Sequence, residues 1–361
     1  MLDKYLSQER FTEITSKFSH SNIAVIGDYF LDEYLILDKN LSEISLETAL
    51  EALQVVSTRK SPGVAGTVTN ILRSLDIPVS AIGFSGDDGH GYELRKSLDN
   101  LGVNLDHFAI FPDRFTPTYT KPMLLENGHE TEQSRLDTKN RLPLQPDHEK
   151  QLIQSLRKLT PEVNAVLIID QAKNKNCGVI TDAVRTELAD LALQYPNTII
   201  MADSRDYMSL FKNTIVKFNV VEASKMFGTK DPNPSPEFIS QISLQLFEYY
   251  HKPIILTLGE AGLQVTDQFR SVRIPAIPVT GPIDIVGAGD SVLASAGAAM
   301  SVGASLIEAS IIGNITASII IQQIGTTGIA TCSQLKKRFD ETHELLNIGI
   351  QISDTQSIKA K

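Results

Sequence analysis

Short apolar runs alternate with helix-length segments along most of the chain. The first run, Ile23–Gly27, is continuous and ends in glycine, as expected for a strand buried on both faces. Similar runs lie at Val79–Gly83, Ala165–Asp170, Thr198–Ala202, Thr214–Phe218 and Pro253–Leu258. The helix-length segments between them are Tyr92–Leu101, His148–Leu159, Val179–Gln194 and Glu237–Tyr250. This alternation predicts an α/β fold: a doubly wound, mostly parallel sheet with helices on both faces.

Two segments interrupt the alternation. Residues 33–57 follow the first strand without an obvious crossover helix, and residues 108–136 hold short β-like stretches separated by Pro, Gly and Asn turns. We expect these segments to form a small β lid at one edge of the sheet. The predicted organisation is an N-terminal helical extension over residues 1–21, an α/β domain with its lid over residues 22–350, and a tail over residues 351–361.

Polar residues follow directly after the predicted strands. In open α/β sheets, ligands bind beyond the carboxyl ends of the strands. We therefore expect functional side chains among these positions: Asp28 and Asp32, Gly83 to Gly91, Asp170 to Lys173, Asp203 to Asp206, Asn219 and Glu222, and Thr257 to Gly262.

Composition limits the possible partners. The net charge of −10 and the pI near 5.3 argue against binding to nucleic acid, because no basic stripe offsets the acidity. No apolar run reaches the roughly 18 residues that a membrane span needs. The first 20 residues lack the apolar region of a secretory signal, so a cytoplasmic location is expected. The two cysteines, Cys177 and Cys332, are expected to be reduced thiols.

The sharpest local signal is a glycine-rich turn that runs from Asp284 to Ser291 and contains Gly287-Ala288-Gly289-Asp290. A buried helix is predicted to follow it. Such a turn leaves backbone N–H groups free at the positive end of a helix, which is a site for anions. An acid in the first turn also suits the helix dipole without any further function. The turn alone leaves both interpretations of Asp290 open. The P-loop and dinucleotide-loop spacings are absent from the sequence.

Five motifs in order carry a resemblance to a known family. They are Gly27-Asp28 with Asp32, Pro62–Gly66, Asn219–Glu222, Thr257–Gly262 and Asp284–Asp290. This set resembles the ribokinase (PfkB) carbohydrate kinases and spans most of the chain. Within the family, the chain is most similar to the heptose-phosphate kinases of lipopolysaccharide-core synthesis. That similarity is carried by Ile26–Tyr34, Pro117–Lys121, Arg135–Asp137 and Asp170–Lys173. The nucleotidyltransferase domain that is fused to some such kinases is expected to be absent.

The resemblance implies an ATP-dependent sugar kinase with a ribokinase-like domain. Asp290 would be the base that accepts the proton of the sugar hydroxyl. The amides of Gly287, Ala288 and Gly289 would form the anion hole for the developing charge.

The resemblance also implies sites for ATP and its ions. Asn219 and Glu222 would organise Mg²⁺ and its waters, and Asp284 matches a position that binds a monovalent cation such as K⁺ in several members. The remaining residues implied in nucleotide binding are Thr257, Gly259, Gly262 and Asn314. Asn314 could equally be a helix residue that is hydrogen-bonded internally.

On the substrate side, Asp28 and Asp32 match positions that hold sugar hydroxyls, although Asp28 also fits a turn after a strand. The loop implied to approach the sugar contains Gly63, Val64, Ala65 and Thr67. If the substrate already carries a phosphate, the candidate cations are Lys121, Arg135, Lys173 and Arg205. Each of these could also be a solvated surface charge.

The chain departs from the family pattern at three positions. Val64 replaces the second glycine of the sugar loop, and Thr67 replaces an asparagine. Val286 stands where a threonine usually precedes the GAGD motif. The first two departures predict an atypical sugar site. The third removes one hydroxyl donor from the phosphate site.

Two other functions remain open from sequence. One is a nucleoside kinase of the same fold, and the other is a non-catalytic kinase homologue that binds nucleotide as a scaffold. Apolar residues at 35–37 and 50–56 also predict an edge that needs covering, and a homodimer formed through the β lid.

Overall fold

A computed structural model describes residues 5–126, 128–228, 235–325 and 328–355. Among these residues, ten strands form a large sheet in the order β15-β14-β13-β12-β11-β10-β9-β1-β4-β5. In chain order the strands are β1 Ile23–Gly27, β2 Tyr29–Ile44, β3 Glu51–Val64, β4 Val79–Ser85, β5 Phe108–Ile110, β6 Thr118–Glu126, β7 His129–Glu132, β8 Leu136–Thr138, β9 Ala165–Asp170, β10 Ile199–Ser204, β11 Ile215–Asn219, β12 Ile254–Thr257, β13 Leu263–Thr266, β14 Arg270–Ile274 and β15 Gln351–Asp354.

Helices cover both faces of this sheet. They are α1 Gln8–Ser16, α2 Ala65–Ser74, α3 Gly89–Asn100, α4 Pro146–Leu159, α5 Asp182–Gln194, α6 Val220–Met226, α7 Pro236–Tyr250, α8 Ala288–Ser301, α9 Leu306–Ile320 and α10 Cys332–Gly349. Short 3₁₀ turns lie at Phe18–His20, Thr160–Glu162, Met208–Leu210 and Gly259–Ala261.

The predicted doubly wound architecture is confirmed. The strands from β5 to β12 in the sheet order run parallel, and β13, β14 and β15 continue the sheet as antiparallel strands. One core lies between the sheet and α2, α3, α8, α9 and α10. A second core lies on the opposite face, against α4, α5, α6 and α7. The parallel strands are buried on both faces, which explains their continuous apolar runs.

The β lid is a separate sheet in the order β3-β2-β6-β7, with β8 paired to β6. Its boundaries differ from those predicted. The first lid segment is longer, because β2 and β3 form a hairpin from Tyr29 to Val64. The second is displaced, because Phe108–Ile110 pairs with β4 in the large sheet. Towards the hairpin tip, β2 and β3 are largely exposed to solvent and lack a clear alternation of buried and exposed residues. Their ends therefore could not be located from the sequence.

The first and last described elements, α1 and β15, pack onto the α/β body. Phe11 of α1 stacks on Phe339 of α10 with ring centroids 4.2 Å apart. At the other end, residues 351–354 form β15 beside β14, so the tail predicted from residue 351 is wrong for these four residues. The rest of that predicted tail, residues 356–361, lies outside the described residues.

Candidate active site

The glycine-rich turn leads into α8 as predicted. Gly287 is the N-cap, with a φ of +81° in the left-handed region that favours glycine, and Asp290 lies in the first helical turn. The amide of Ala288 donates to the carbonyl of Ile285 at 3.2 Å, so this member of the predicted anion hole is already engaged. The amides of Gly289 and Asp290 belong to the first turn, whose N–H groups have no partner within the helix. They are therefore better placed than Ala288 to receive an anion.

Asp290 has the electrostatic properties of a base. Burial, followed by the neighbouring Asp203 carboxylate, raises the pKa of Asp290 to about 6, while Lys217 and Arg205 oppose that rise. Asp32 of the lid also raises the pKa, which links the two ends of the site. A carboxylate with a pKa near the working pH is well matched to general-base catalysis.

The raised pKa of Asp290 gives a direct prediction. We expect its carboxyl group to titrate near pH 6 in the free protein, so that the base becomes protonated and inactive as the pH falls through 6. Carboxyl ¹³C resonances of labelled aspartate, compared between the wild type and Asp290→Asn, isolate this titration. A midpoint near the ordinary value of 3.8 would contradict the assignment.

Asn219 and Glu222 form the cap of α6. The Asn219 side chain accepts the Glu222 amide at 2.8 Å, and Glu222 Oε2 accepts the Asn219 amide at 2.9 Å. This capping box uses one carboxylate oxygen of Glu222, and it gives both residues a structural role beside the predicted one. Burial and Asp203 raise the pKa of Glu222.

A buried ion pair lies between these elements. Lys217 of β11 is in register with Asp203 of β10, and its ammonium donates to the Asp203 carboxylate. Sequence reasoning missed Lys217. A lysine inside an otherwise apolar strand run was the available signal, because lysine is almost never fully buried unless it is paired.

The sugar-side residues Asp32 and Gly63 lie side by side. A Cβ at Gly63 would stand 2.4 Å from Asp32 Oδ2, so any larger residue there would displace the Asp32 carboxylate. Asp32 Oδ1 lies 3.3 Å from Lys121 Nζ, which is also 3.0 Å from the Tyr34 hydroxyl. Burial raises the pKa of Asp32, and Lys121 opposes this rise. Lys121 therefore acts on the Asp32 carboxylate, and its role as a phosphate clamp stays a prediction.

Asp28 is used by the fold. Its carboxylate accepts backbone N–H groups from Gln171, Ala172 and Val179 at 2.7 to 2.9 Å. A Cβ at Gly178 would stand 2.3 Å from Asp28 Oδ1, so the segment closes tightly on the carboxylate. Asp28 thus has a structural role, in which it fixes residues 171–179 to the end of β1. It also lines the cleft beside these residues, and its contact with sugar hydroxyls stays a prediction.

Val64 adopts a conformation that valine rarely adopts. Val64 lies directly before α2 and has a φ of 61° and a ψ of −111°. The family pattern has glycine at this position. Thr67, one turn into α2, is 3% exposed and buried in the core, so its predicted contact with the substrate is not supported. Strain of this kind costs on the order of 1–3 kcal/mol and persists where the surroundings enforce it.

We expect Val64→Gly to leave the free energy of unfolding unchanged or to raise it by up to about 2 kcal/mol, because relief of strain offsets the flexibility of glycine. Urea unfolding measures this. Val55→Gly is the matched control: Val55 lies on the same strand, is 49% exposed and has no positive φ. Val55→Gly should lower the free energy of unfolding by about 1 kcal/mol. If both variants lowered the free energy of unfolding equally, Val64 would not be strained.

A basic cleft opens between the lid and residues 171–179. Its basic lining residues are Lys139, Arg141, Lys173 and Arg205. Arg205 of this lining also opposes the rise in the pKa of Asp290, which links the cleft electrostatically to the proposed base. Two of the candidate cations, Lys173 and Arg205, thus converge with Lys139 and Arg141, which sequence reasoning missed. Arg135 instead pairs with Asp137 at 2.6 Å.

The predicted nucleotide residues fall into two groups. Thr257 ends β12, Gly259 and Gly262 lie in the turn that leads to β13, and a Cβ at Gly259 would meet open space. Asn314 is 6% exposed, and its Nδ2 donates to the Pro275 carbonyl at 2.7 Å. The structure therefore favours the internal role of Asn314.

The donor set near the turn fits a Mg²⁺ ion that arrives with phosphates. The oxygens of Asp203, Asn219 and Glu222 are the hard ligands that Mg²⁺ prefers. In the part of the chain that the structure describes, no group of three or more His, Cys, Asp or Glu residues could hold a metal ion by itself. Asp284 accepts the Val286 amide at 3.0 Å.

None of the described helices has the length and apolar character that crossing a membrane requires.

Comparisons with known proteins agree with this geometry. The family model described as pfkB family carbohydrate kinase matches residues 22–332. The bifunctional protein HldE of Desulfatibacillum aliphaticivorans is 27% identical over 351 residues, which is 96% of this chain and 68% of that protein. HldE of Pelobacter propionicus is 28% identical over 329 residues, 90% of this chain and 64% of that protein. The chain thus spans about two thirds of the length of these relatives.

Solved structures show the same fold. Arabidopsis thaliana ribokinase complexed with ribose and ATP has a TM-score of 0.65 at 19% identity, covering 88% of this chain and 98% of that one. Escherichia coli phosphofructokinase-2 in complex with substrates and products has a TM-score of 0.67 at 17% identity, covering 89% and 99%. With a family model that covers most of its length, the chain belongs to the pfkB family of carbohydrate kinases and is a sugar kinase.

Proposed function

We propose that this protein transfers the γ-phosphoryl group of ATP to a hydroxyl of a phosphorylated sugar, with a heptose phosphate as the leading candidate. The observation that carries the proposal is the basic cleft beside the Asp290 end of the site, lined by Lys139, Arg141, Lys173 and Arg205. Lys139 already pairs with Asp137 at 2.8 Å. A neutral sugar would offer the other cations only hydroxyl oxygens, whereas a phosphate would accept charge-assisted hydrogen bonds from them. The similarity of Ile26–Tyr34 and neighbouring motifs to heptose-phosphate kinases supports the choice of sugar.

In the proposed mechanism, Asp290 accepts the proton of the attacking hydroxyl. The hydroxyl oxygen bonds to the γ-phosphorus as the bond from that phosphorus to the β-phosphate oxygen breaks, and ADP leaves. The amides of Gly289 and Asp290 and the positive end of α8 stabilise the charge that develops on the transferred group. Glu222 and Asn219 would hold Mg²⁺ through water, and the bound ion neutralises phosphate charge. Asp32, next to Gly63, would accept sugar hydroxyls.

Lys173 provides the test of the cleft. Removing one charged partner of a phosphate should cost about 1.5–3 kcal/mol, so Lys173→Met should raise KM for a phosphorylated sugar at least about tenfold. KM for ATP should stay the same. The measurement is steady-state kinetics across neutral sugars and sugar phosphates.

Lys175→Met is the matched control, because Lys175 is exposed two residues away and pairs with Asp182 at 2.9 Å. It should keep the wild-type KM. A wild type that prefers neutral sugars, or equal effects of both variants, would contradict a phosphate site in the cleft.

The β lid supports a proposal of homodimerisation. Large apolar side chains on β2, β3 and their connection are exposed: Leu41, Ile44, Leu46, Leu50, Leu53, Val55 and Val56. An apolar surface of this kind on an edge hairpin suits a second copy of the chain. Light scattering tests the proposal, and a monomer mass at micromolar concentration would contradict it. We also propose a cytoplasmic location and a K⁺ site at Asp284.

A further inference from the structure

The Lys217–Asp203 pair lies directly under the phosphate end of the site. Lys217 and Asp203 are in register on neighbouring parallel strands, and their side chains are 5% and 6% exposed. Met201 and Ile215, two residues before each of them, face the core that contains α8. Side chains two apart on a strand share a face, so the ion pair also points towards α8.

The ammonium of Lys217 reaches the first turn of α8. A Cβ at Gly289 would stand 3.2 Å from Lys217 Nζ, so glycine at this position lets the ammonium approach the turn. A cation is unfavourable at the positive end of a helix. A buried ion pair also adds little net stability, because desolvation offsets the attraction. Stability therefore does not account for the placement of Lys217.

The charges around Lys217 supply a reason. Three carboxylates face it from separate elements: Asp203 on β10, Glu222 on α6 and Asp290 on α8. Arg205, which is exposed, is the other cation that acts on Asp290. A triphosphate that arrives at the turn would meet the repulsion of three acids. A buried ammonium offsets that repulsion effectively, because water screens it little.

We propose that Lys217 is a positioning residue of the phosphoryl-transfer site, held by Asp203 beneath the first turn of α8 so that its charge lets a nucleoside triphosphate settle beside Asp290. The inference rests on the proposed placement of the triphosphate at Gly287–Asp290. It is independent of which sugar is the acceptor.

The test is the ratio of the dissociation constants for adenosine and ATP, measured by calorimetry on the full chain. Lys217→Gln removes the charge but keeps an N–H donor for Asp203, Lys217→Met removes both, and Lys217→Arg keeps the charge. We expect the neutral variants to lose about 10- to 100-fold of the preference for ATP while binding adenosine as the wild type does. Lys217→Arg should keep most of the preference. If Lys217 had a purely structural role, the neutral variants would bind adenosine and ATP more weakly by the same factor.

Each outcome is decisive. A folded neutral variant with the wild-type preference for ATP would overturn the role of Lys217 alone. A wild type that binds ATP no better than adenosine would overturn the placement of the triphosphate as well. Failure of both neutral variants to fold, judged by circular dichroism, would overturn the proposal too, because Lys217 would then be needed for stability itself.

Discussion

Asp290→Asn should lower kcat by about 10²–10⁴-fold, the usual contribution of a general base. Asparagine keeps the volume of the side chain but cannot accept the hydroxyl proton. The substitution also removes one of the carboxylates that a triphosphate would meet, so KM for ATP should stay the same or fall. Steady-state release of ADP in the presence of the sugar substrate measures both constants.

The control for this variant is Asp340→Asn. Asp340 lies on α10 and pairs with exposed Lys336 at 3.0 Å. Exposed pairs of this kind contribute little, so the control should keep the wild-type rate. Turnover that survives Asp290→Asn within a few fold would remove Asp290 from the mechanism.

Gly63→Ala should lower kcat/KM for the sugar by about 100-fold, the usual penalty when a reacting group is misplaced by about 1 Å. The new Cβ would stand 2.4 Å from Asp32 Oδ2, so the carboxylate must move away from its position beside Lys121. KM for ATP should not change, because the collision lies at the sugar end. Kinetics with each substrate varied in turn separate the two ends.

Gly89→Ala is the matched control for Gly63. Gly89 begins α3, and a Cβ there would meet nothing within 4 Å. The control should therefore keep wild-type kinetics. If Gly63→Ala behaves like this control, Asp32 does not hold the sugar.

The large sheet could be predicted from the sequence because strands that are buried on both faces form continuous apolar runs. Runs such as Ala165–Asp170 are fully apolar up to their last residue, and the turn at Gly287 needs a residue that tolerates positive φ. Both signals are local. The lid hairpin was located with the wrong boundaries, because strands exposed to solvent on both faces carry no such pattern.

The roles of individual side chains depended on contacts across the chain. Asp28 is satisfied by amides of residues 171–179, far along the sequence, so its turn role and its sugar role could not be separated beforehand. The cleft brings Lys139 and Arg141 to Lys173 only after the lid packs on the sheet. The sequence shows Lys217 as a lysine inside an apolar run. Only the register between β10 and β11 identifies Asp203 as its partner.

The most direct test of the account is ³¹P NMR of the purified protein with ATP, Mg²⁺ and a panel of acceptors. The panel contains neutral sugars, nucleosides, hexose phosphates and heptose phosphates. The account predicts a new phosphate resonance on a sugar phosphate, formed in equal amount with ADP and absent with Asp290→Asn. Faster phosphorylation of a neutral sugar or a nucleoside, or ATP binding without transfer to any acceptor, would contradict it.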